Sequence, residues 1–325
     1  MSALPLIDFS GFRDGDAQLR AAIADEIGAA CRDNGFFALT HHGISNTVIA
    51  DGFSMARHFF DLPITEKRHI AIDRSPCHRG WFAQGQEVLD KSGQPQGDFK
   101  EGLKIGRHLT PDQPRVKAGM PLHGPNQYPQ ESGALLGFRK KMQALYDAGE
   151  GLSRDLMQAF ALSLGLQATH FDRWLSAPMA TLAPLRYPPM REAGELSAGA
   201  HTDFGCLTLL FQHDAPGLEI KTGAEDWLAV PVLDDAIIVN IGDMMARWTG
   251  GLYASTVHRV INRAEIDRHS IAYFFDPDPE ADLHPLVGAP TSSSDKADGS
   301  VTALAHLLEK IGDSFDYMDD KKNAP

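Results

Sequence analysis

In the stretch AHTDFGCLTLLF, residues 200–211, His201 and Asp203 stand one residue apart, directly before an apolar run of strand-forming character. Burying an imidazole and a carboxylate together is costly unless they pair or bind something. A metal ion would satisfy both, but two ligands do not make a site, and the remainder must come from elsewhere in the chain. The sequence holds 14 histidines, so His-x-Asp pairs also arise by chance. A second one, His170-Phe171-Asp172, follows a long helical stretch and precedes another helix-like start, where Asp172 suits a capping role. No strand follows it closely, and it reads as structural.

The third ligand expected is His258, in STVHRVINR. Alternate residues of a strand share a face, so His258 points with Thr256 and Val260. The next strand, RHSIAYFF, places Arg268 and Ser270 on one face by the same rule. A roll of strands that closes these faces on one another gives a cavity with two histidines, one aspartate and an Arg-Ser pair deeper in. Two imidazoles and a carboxylate on one side of a metal form the facial triad of non-haem Fe(II) oxygenases. Ligand softness alone would also admit zinc, nickel or manganese. Such a triad leaves three coordination positions open. A 2-oxo acid fills two with its carboxylate and keto oxygens, and dioxygen takes the third. Arg268 points to the keto acid, because a planar guanidinium grips a carboxylate bidentately and Ser270 adds a hydroxyl donor. Imidazoles bind metal only when unprotonated, so activity is expected to fall below about pH 6.

Short β-rich segments must position these residues: TLAPLRY, LTLLFQ, GLEIKT, WLAVPV, AIIVNIG, STVHRVINR and HSIAYFFDPD, separated by turn signals such as WTGG. Many short strands without intervening helices predict a closed antiparallel roll or sandwich. Ahead of them, LPLIDF reads as a strand, and DAQLRAAIADEIGAACRDNG as a helix capped by Asp16, with Leu19, Ile23, Ile27 and Cys31 on one face. FFALTHHGI reads as a strand and turn, and a second helix starts near Ser45. Residues 92–129 are proline-rich loop with one strand candidate, FKEGLKIG. A long helix follows over about 133–165, with Gly149 and Gly151 as a break. The polar stretch PTSSSDKADGS, a last helix VTALAHLLEKIGDSF and a frayed tail DDKKNAP close the chain.

The formal net charge of -13 over 325 residues argues against a nucleic-acid partner, which would need Lys and Arg to neutralise phosphates. It also obliges any anionic ligand to find a local cation. The three cysteines show no C-x-x-C spacing, which fits a reducing cytoplasm. The N-terminus lacks the pattern of a signal peptide, and no apolar run is long enough to span a membrane.

At these residues the sequence resembles the isopenicillin-N-synthase-like, 2-oxoglutarate-dependent Fe(II) dioxygenases. LPLIDFSGF and NGFFALTHHGI are similar to the family's N-terminal region, RYPP (186–189) to its tyrosine-containing segment, and HTDFGCLTLL, the segment from VNIGD to STVHRV, and RHS to its core motifs. The resemblance implies a mainly β fold with flanking helices, a distorted double-stranded β-helix or cupin-like jelly roll. It divides the chain into an N-terminal α/β region (1–125), a supporting long helix (126–178), the jelly-roll core (179–285) and a C-terminal loop and helix (286–325). It also implies Fe(II) on His201, Asp203 and His258, dioxygen as oxidant, and Arg268, Ser270 and Tyr187 on the distal carboxylate of 2-oxoglutarate. Leu185 stands where many plant members carry Asn, two residues before the tyrosine.

The implied reaction hydroxylates or desaturates a small molecule and releases succinate and carbon dioxide. Candidates for the lining of the substrate site are Trp81, Phe82, Lys100, Arg186, Phe204 and Phe275, with Arg107 nearby; the cations Lys100, Arg107 and Arg186 favour a carboxylate on the substrate. Two other readings stay open at this point: a 2-oxoglutarate-independent Fe(II) oxidase of the same fold, of the isopenicillin N synthase or ethylene-forming kind, and a non-catalytic metal-bound binding protein.

Overall fold

The computed structural model of the chain describes residues 4–190, 196–213, 215–223, 226–286, 301–315 and 317. The polar stretch 290–300 and the tail 319–325 lie outside the described residues. Helix α1 (Ala17–Asp33) starts where Asp16 accepts the Leu19 N–H at 2.9 Å. It stops at Asn34, and Gly35 takes a φ of +68°, a left-handed turn whose close approach to the Ala254 carbonyl leaves no room for a Cβ. Ile23, Ile27 and Cys31 are buried as the four-residue spacing requires, while Leu19, in the first turn, stays exposed. Ser45 caps α2 (Asn46–Phe60), which turns Phe53, Ala56 and Phe60 inward.

Two short helices, α3 (Ile64–Lys67) and α4 (Pro114–Lys117), sit in the loops. Helix α5 (Phe138–Ser163) runs without the break expected at Gly149. That glycine is needed for packing: a Cβ there would lie 3.0 Å from the Tyr273 ring, so its absence lets helix and sheet approach. Helix α6 (Asp243–Trp248) was not anticipated; at six residues it is too short to show a helical period. Helix α7 (Ala303–Ser314) is capped by Thr302. Among the described residues no helix is long and apolar enough to cross a membrane.

The strands are β1 (Leu6–Asp8), β2 (Phe36–Thr40), β3 (Gly80–Phe82), β4 (Glu101–Gly106), β5 (Met179–Tyr187), β6 (Ala198–His201), β7 (Leu207–His213), β8 (Leu218–Lys221), β9 (Trp227–Ala229), β10 (Ala236–Ile241), β11 (His258–Val260) and β12 (Arg268–Asp276). They form a large sheet of order β1-β2-β10-β7-β12-β5-β4-β3 and a small one of order β6-β11-β8-β9. Apart from the parallel β1–β2 pair, the ladders are antiparallel. Strands β1 to β4 of the N-terminal region thus extend the same large sheet as β5, β7, β10 and β12. An apolar cluster of Phe36, Ala38, Leu218, Ile220, Val230 and Ile238 joins the two sheets. Helices α1, α2 and α5 cover the large sheet through the main core. The result is a distorted double-stranded β-helix with flanking helices. One expectation changes: β12 is not the neighbour of the His258 strand β11. The two lie in different sheets, so Arg268 and His258 approach across the roll.

Candidate functional site

His201 ends β6 and His258 begins β11, and the two are register partners in the small sheet. Directly opposed residues share a face, so the imidazoles leave the sheet side by side, with ring centroids 4.3 Å apart. Asp203 lies two residues beyond β6. Its Oδ1 stands 3.8 Å from His201 Nε2 and 3.7 Å from His258 Nε2. Its Oδ2 is occupied, accepting from Thr208 Oγ1 and Asn240 Nδ2, each at 2.6 Å. These two donors come from β7 and β10 of the large sheet and turn the other oxygen toward the imidazoles. His201 Nδ1 lies 2.7 Å from the Gly199 carbonyl, and His258 Nδ1 lies 3.2 Å from that of Thr256. A ring nitrogen facing a carbonyl carries the proton, so in the neutral form of each ring it is Nε2, on the side toward Asp203, that keeps the lone pair. One donor atom from each of the three residues lies within 4.8 Å of the others, a set suited to a divalent metal.

Burial, and then the neighbouring His258, push the His201 imidazole down to about 3. His201 therefore stays neutral well below the pH 6 expected from an ordinary imidazole. Burial alone would raise the Asp203 carboxyl, but the two imidazoles and the Asn240 and Thr208 donors outweigh it and hold the group below its usual value. Thr208 and Asn240 were missed from sequence, although a polar residue inside an apolar strand, as in LTLL and IIVNI, is itself a signal of a buried partner. Replacing Asn240 by Leu is expected to weaken Fe(II) binding about 10- to 100-fold. Anaerobic metal titration would measure this, and an unchanged affinity would mean that the carboxylate keeps its orientation without Asn240.

Arg268 opens β12 opposite Tyr187 at the end of β5. It is fully buried; Nη2 donates to Gln212 Oε1 at 3.2 Å, and the guanidinium lies 4.8 Å from the centre of the Tyr187 ring. Among the described residues its Nε and Nη1 have no hydrogen-bond partner. Unmet donors on a buried cation call for an anionic acceptor such as a carboxylate. Ser270 Oγ donates to the Tyr187 hydroxyl at 3.4 Å, a long and weak bond, and Ser270 is not among the cavity-lining residues.

A cavity of ≈ 170 Å³ takes in His201, Asp203, His258, Tyr187 and Arg268. Of the residues expected to line a substrate site, Phe82, Lys100 and Phe204 do so. Trp81, Arg186 and Phe275 do not. In each case the adjacent residue, Phe82, Tyr187 or Phe274, faces the cavity instead. On the outer face Arg186 pairs with Asp267 at 2.6 Å and Glu101 at 3.2 Å, and Trp81 Nε1 donates to Glu101 at 2.7 Å. Arg107 is outside this cavity, 2.8 Å from Glu150.

Lys100 faces the cavity but is neutralised by Asp98 and by Glu87 at 2.9 Å; Lys104 also reaches Glu87, at 3.0 Å. Burial alone would raise the Glu87 carboxyl, but the two lysines hold it well below the usual carboxylate range. An unfolded glutamate takes up its proton near pH 4.5, while folded Glu87 stays charged. Below that value the unfolded state binds more protons, and stability is lost as pH falls. Glu87→Gln is expected to flatten the acid limb of a urea-midpoint-against-pH curve. A limb parallel to that of the parent protein would count against this pairing.

Residues 4–131 match the family profile described as non-haem dioxygenase in morphine synthesis N-terminal, and residues 167–277 match that of the 2OG-Fe(II) oxygenase superfamily. A 2-oxoglutarate-Fe(II) type oxidoreductase of Aspergillus fumigatus is 36% identical over 283 residues, covering 85% of this chain and 82% of its own length. The 2-oxoglutarate-dependent dioxygenase citB of Monascus ruber is 34% identical over 325 residues, covering 96% and 95%. Among solved structures, a full-length Neurospora crassa protein in complex with alpha-KG is similar with a TM-score of 0.83 at 29% identity, over 95% of this chain and 96% of that one. The same Neurospora protein has been solved with thymine as well. The chain belongs to the 2-oxoglutarate- and Fe(II)-dependent oxygenases.

Proposed function

We propose that the protein hydroxylates or desaturates a small molecule, with His201, Asp203 and His258 holding the iron and Arg268 and Tyr187 holding the distal carboxylate of 2-oxoglutarate, Ser270 supporting Tyr187. The observation that carries this reading is the buried Arg268, whose Nε and Nη1 are unmet in the cavity that also holds the three candidate ligands. Bound there, Fe(II) and 2-oxoglutarate supply the activation of dioxygen that oxidises a substrate C–H bond, with succinate and carbon dioxide released. The two imidazoles bind through Nε2 because Gly199 and Thr256 fix their tautomers. Asp203 binds through Oδ1 because Thr208 and Asn240 hold Oδ2. The charges close: the metal with Asp203 is formally +1, 2-oxoglutarate brings the group to -1, and Arg268 restores neutrality, which makes burial tolerable. Phe36, Phe82, Phe204, Leu210 and Phe274 keep the remaining wall apolar and limit water. The Neurospora relative's complex with thymine supports a substrate of small-molecule scale.

Anaerobic titration of the apoprotein with Fe(II) and 2-oxoglutarate tests the proposal. A weak visible charge-transfer band that needs both components, and is lost in Arg268→Gln, is expected. Iron binding without the band would favour an oxidase that does not use 2-oxoglutarate, and absence of iron binding would overturn the ligand assignment.

A further inference from the structure

Arg79 is 6% exposed and forms part of the wall of the cavity that holds the candidate iron ligands. Its Nη1 and Nη2 donate to the carbonyls of His78, at 3.2 Å, and Leu122, at 3.0 Å, and among the described residues its Nε has no partner. It lies so close over Gly106 that even a Cβ there would come within 2.1 Å of Nε and Cζ. The titratable groups that interact electrostatically with it include Cys77, Tyr146, Tyr128, Tyr317 and His123, together with the cation Lys104. Among the described residues no carboxylate pairs with it. A neutral donor would serve the two carbonyls without the cost of burying a charge, so those bonds alone do not account for a guanidinium.

The other charges around the cavity are matched. Lys100 and Lys104 share Glu87 and Asp98. Arg268 balances the iron, Asp203 and 2-oxoglutarate on the reading above. Asp276 also faces the cavity, but its Oδ1 accepts the Cys206 N–H at 2.9 Å, and burial and the nearby Asp203 both oppose its ionisation, with no ion pair to Arg79. On its other side Arg79 borders a smaller pocket walled by Arg107, Arg115 and His123, where Glu150 and Glu280 match the two arginines. Among the described residues, one buried positive charge on the wall of the cavity is left over, and it is Arg79.

We propose that the substrate oxidised by this enzyme is a small organic monocarboxylate whose acid group is held by Arg79, with its apolar body against Phe82, Phe204 and Phe274. The proposal rests on the 2-oxoglutarate-oxygenase reading above. A single surplus charge favours a carboxylate over a phosphate monoester, which brings nearly two charges. Arg79 also answers the requirement, set by a net charge of -13, that an anion find a local cation.

The test uses the protein loaded anaerobically with Fe(II) and 2-oxoglutarate. The probes are matched acids and amides: benzoate and benzamide, phenylacetate and phenylacetamide, 3-phenylpropanoate and its amide, hexanoate and hexanamide. Binding is read from perturbation of the charge-transfer band. In the best-fitting pair the acid is expected to bind at least about 30-fold tighter than the amide. Arg79→Gln should erase that preference, and Arg79→Lys, which keeps the charge, should restore part of it. Amides binding as well as acids, a preference that survives Arg79→Gln, or no binding by either member of any pair would overturn the proposal. Absence of the charge-transfer band itself would instead bring down the reading on which it rests.

Discussion

Asp203→Ala is expected to reduce succinate release to background and to weaken Fe(II) binding by more than about 100-fold, beyond the loss from altering a residue that only orients a ligand. The geometry explains why this carboxylate matters most. Its Oδ1 is the anionic atom between the two imidazoles, 3.8 and 3.7 Å away. Without it the site offers two uncharged nitrogens, and nothing offsets the dication's desolvation in a buried cavity. The same substitution leaves Thr208 Oγ1 and Asn240 Nδ2 without their acceptor, at about 1–3 kcal/mol for each buried donor left unmet. The fold loses some stability but keeps its core, so a thermal scan separates loss of metal from loss of structure. Asp203→Asn, which retains an oxygen acceptor, gives a second control. Iron affinity within a few-fold of the parent, with turnover retained, would remove Asp203 from the ligand set. A protein that lost iron but kept undiminished affinity for a small-molecule ligand would instead be a binding module.

Much of the scaffold was legible because its signals are local. Asp16 and Ser45 cap helices by bonds to residues two or three positions away, and Gly35 stops α1 through its own backbone angle. The spacing of Ile23, Ile27 and Cys31 needs only a helical period. In the candidate site, the order of His201, Asp203, His258 and Arg268 along the β segments was readable. That Arg268 reaches the others across the roll, from a different sheet, was not. Parity was the harder problem. Alternation says that neighbours face opposite ways, but it does not say which of two neighbours faces the cavity. Trp81, Arg186 and Phe275 were each chosen one position from the residue that lines it. Charge pairing was illegible for a different reason. Arg186 finds Asp267 81 positions away, and Lys100 finds Glu87 across a loop. Without those partners, paired cations looked available for a substrate. Arg79 opens the stretch RGWFAQGQE (79–87) with no local mark, since nothing in the sequence shows that an arginine lacks a carboxylate partner.

Arg268→Met should move stability and function in opposite directions. In the protein without 2-oxoglutarate, Arg268 is a fully buried cation with two unmet donors; Gln212 Oε1 at 3.2 Å and the face of Tyr187 are its polar company. Burial pushes its proton affinity down, yet a guanidinium remains charged, so the desolvation cost persists. Methionine fills similar space with no charge and adapts to the cavity between Tyr187 and Gly217. The variant is therefore expected to be more stable than the parent in the absence of ligand, by about 1–4 kcal/mol on the scale of exchanging buried charge for packed apolar side chains. Affinity for 2-oxoglutarate should fall at least about 30-fold, the loss typical of truncating one side of a buried, hydrogen-bonded charge pair. The parent should gain stability with each increment of 2-oxoglutarate in the presence of Fe(II), following the logarithm of ligand concentration over Kd, and the variant should gain almost none at the same concentrations. Urea midpoints with and without 2-oxoglutarate, under anaerobic conditions, measure all of these. If Arg268 instead serves the fold alone, the variant will be less stable without ligand and will bind 2-oxoglutarate as the parent does.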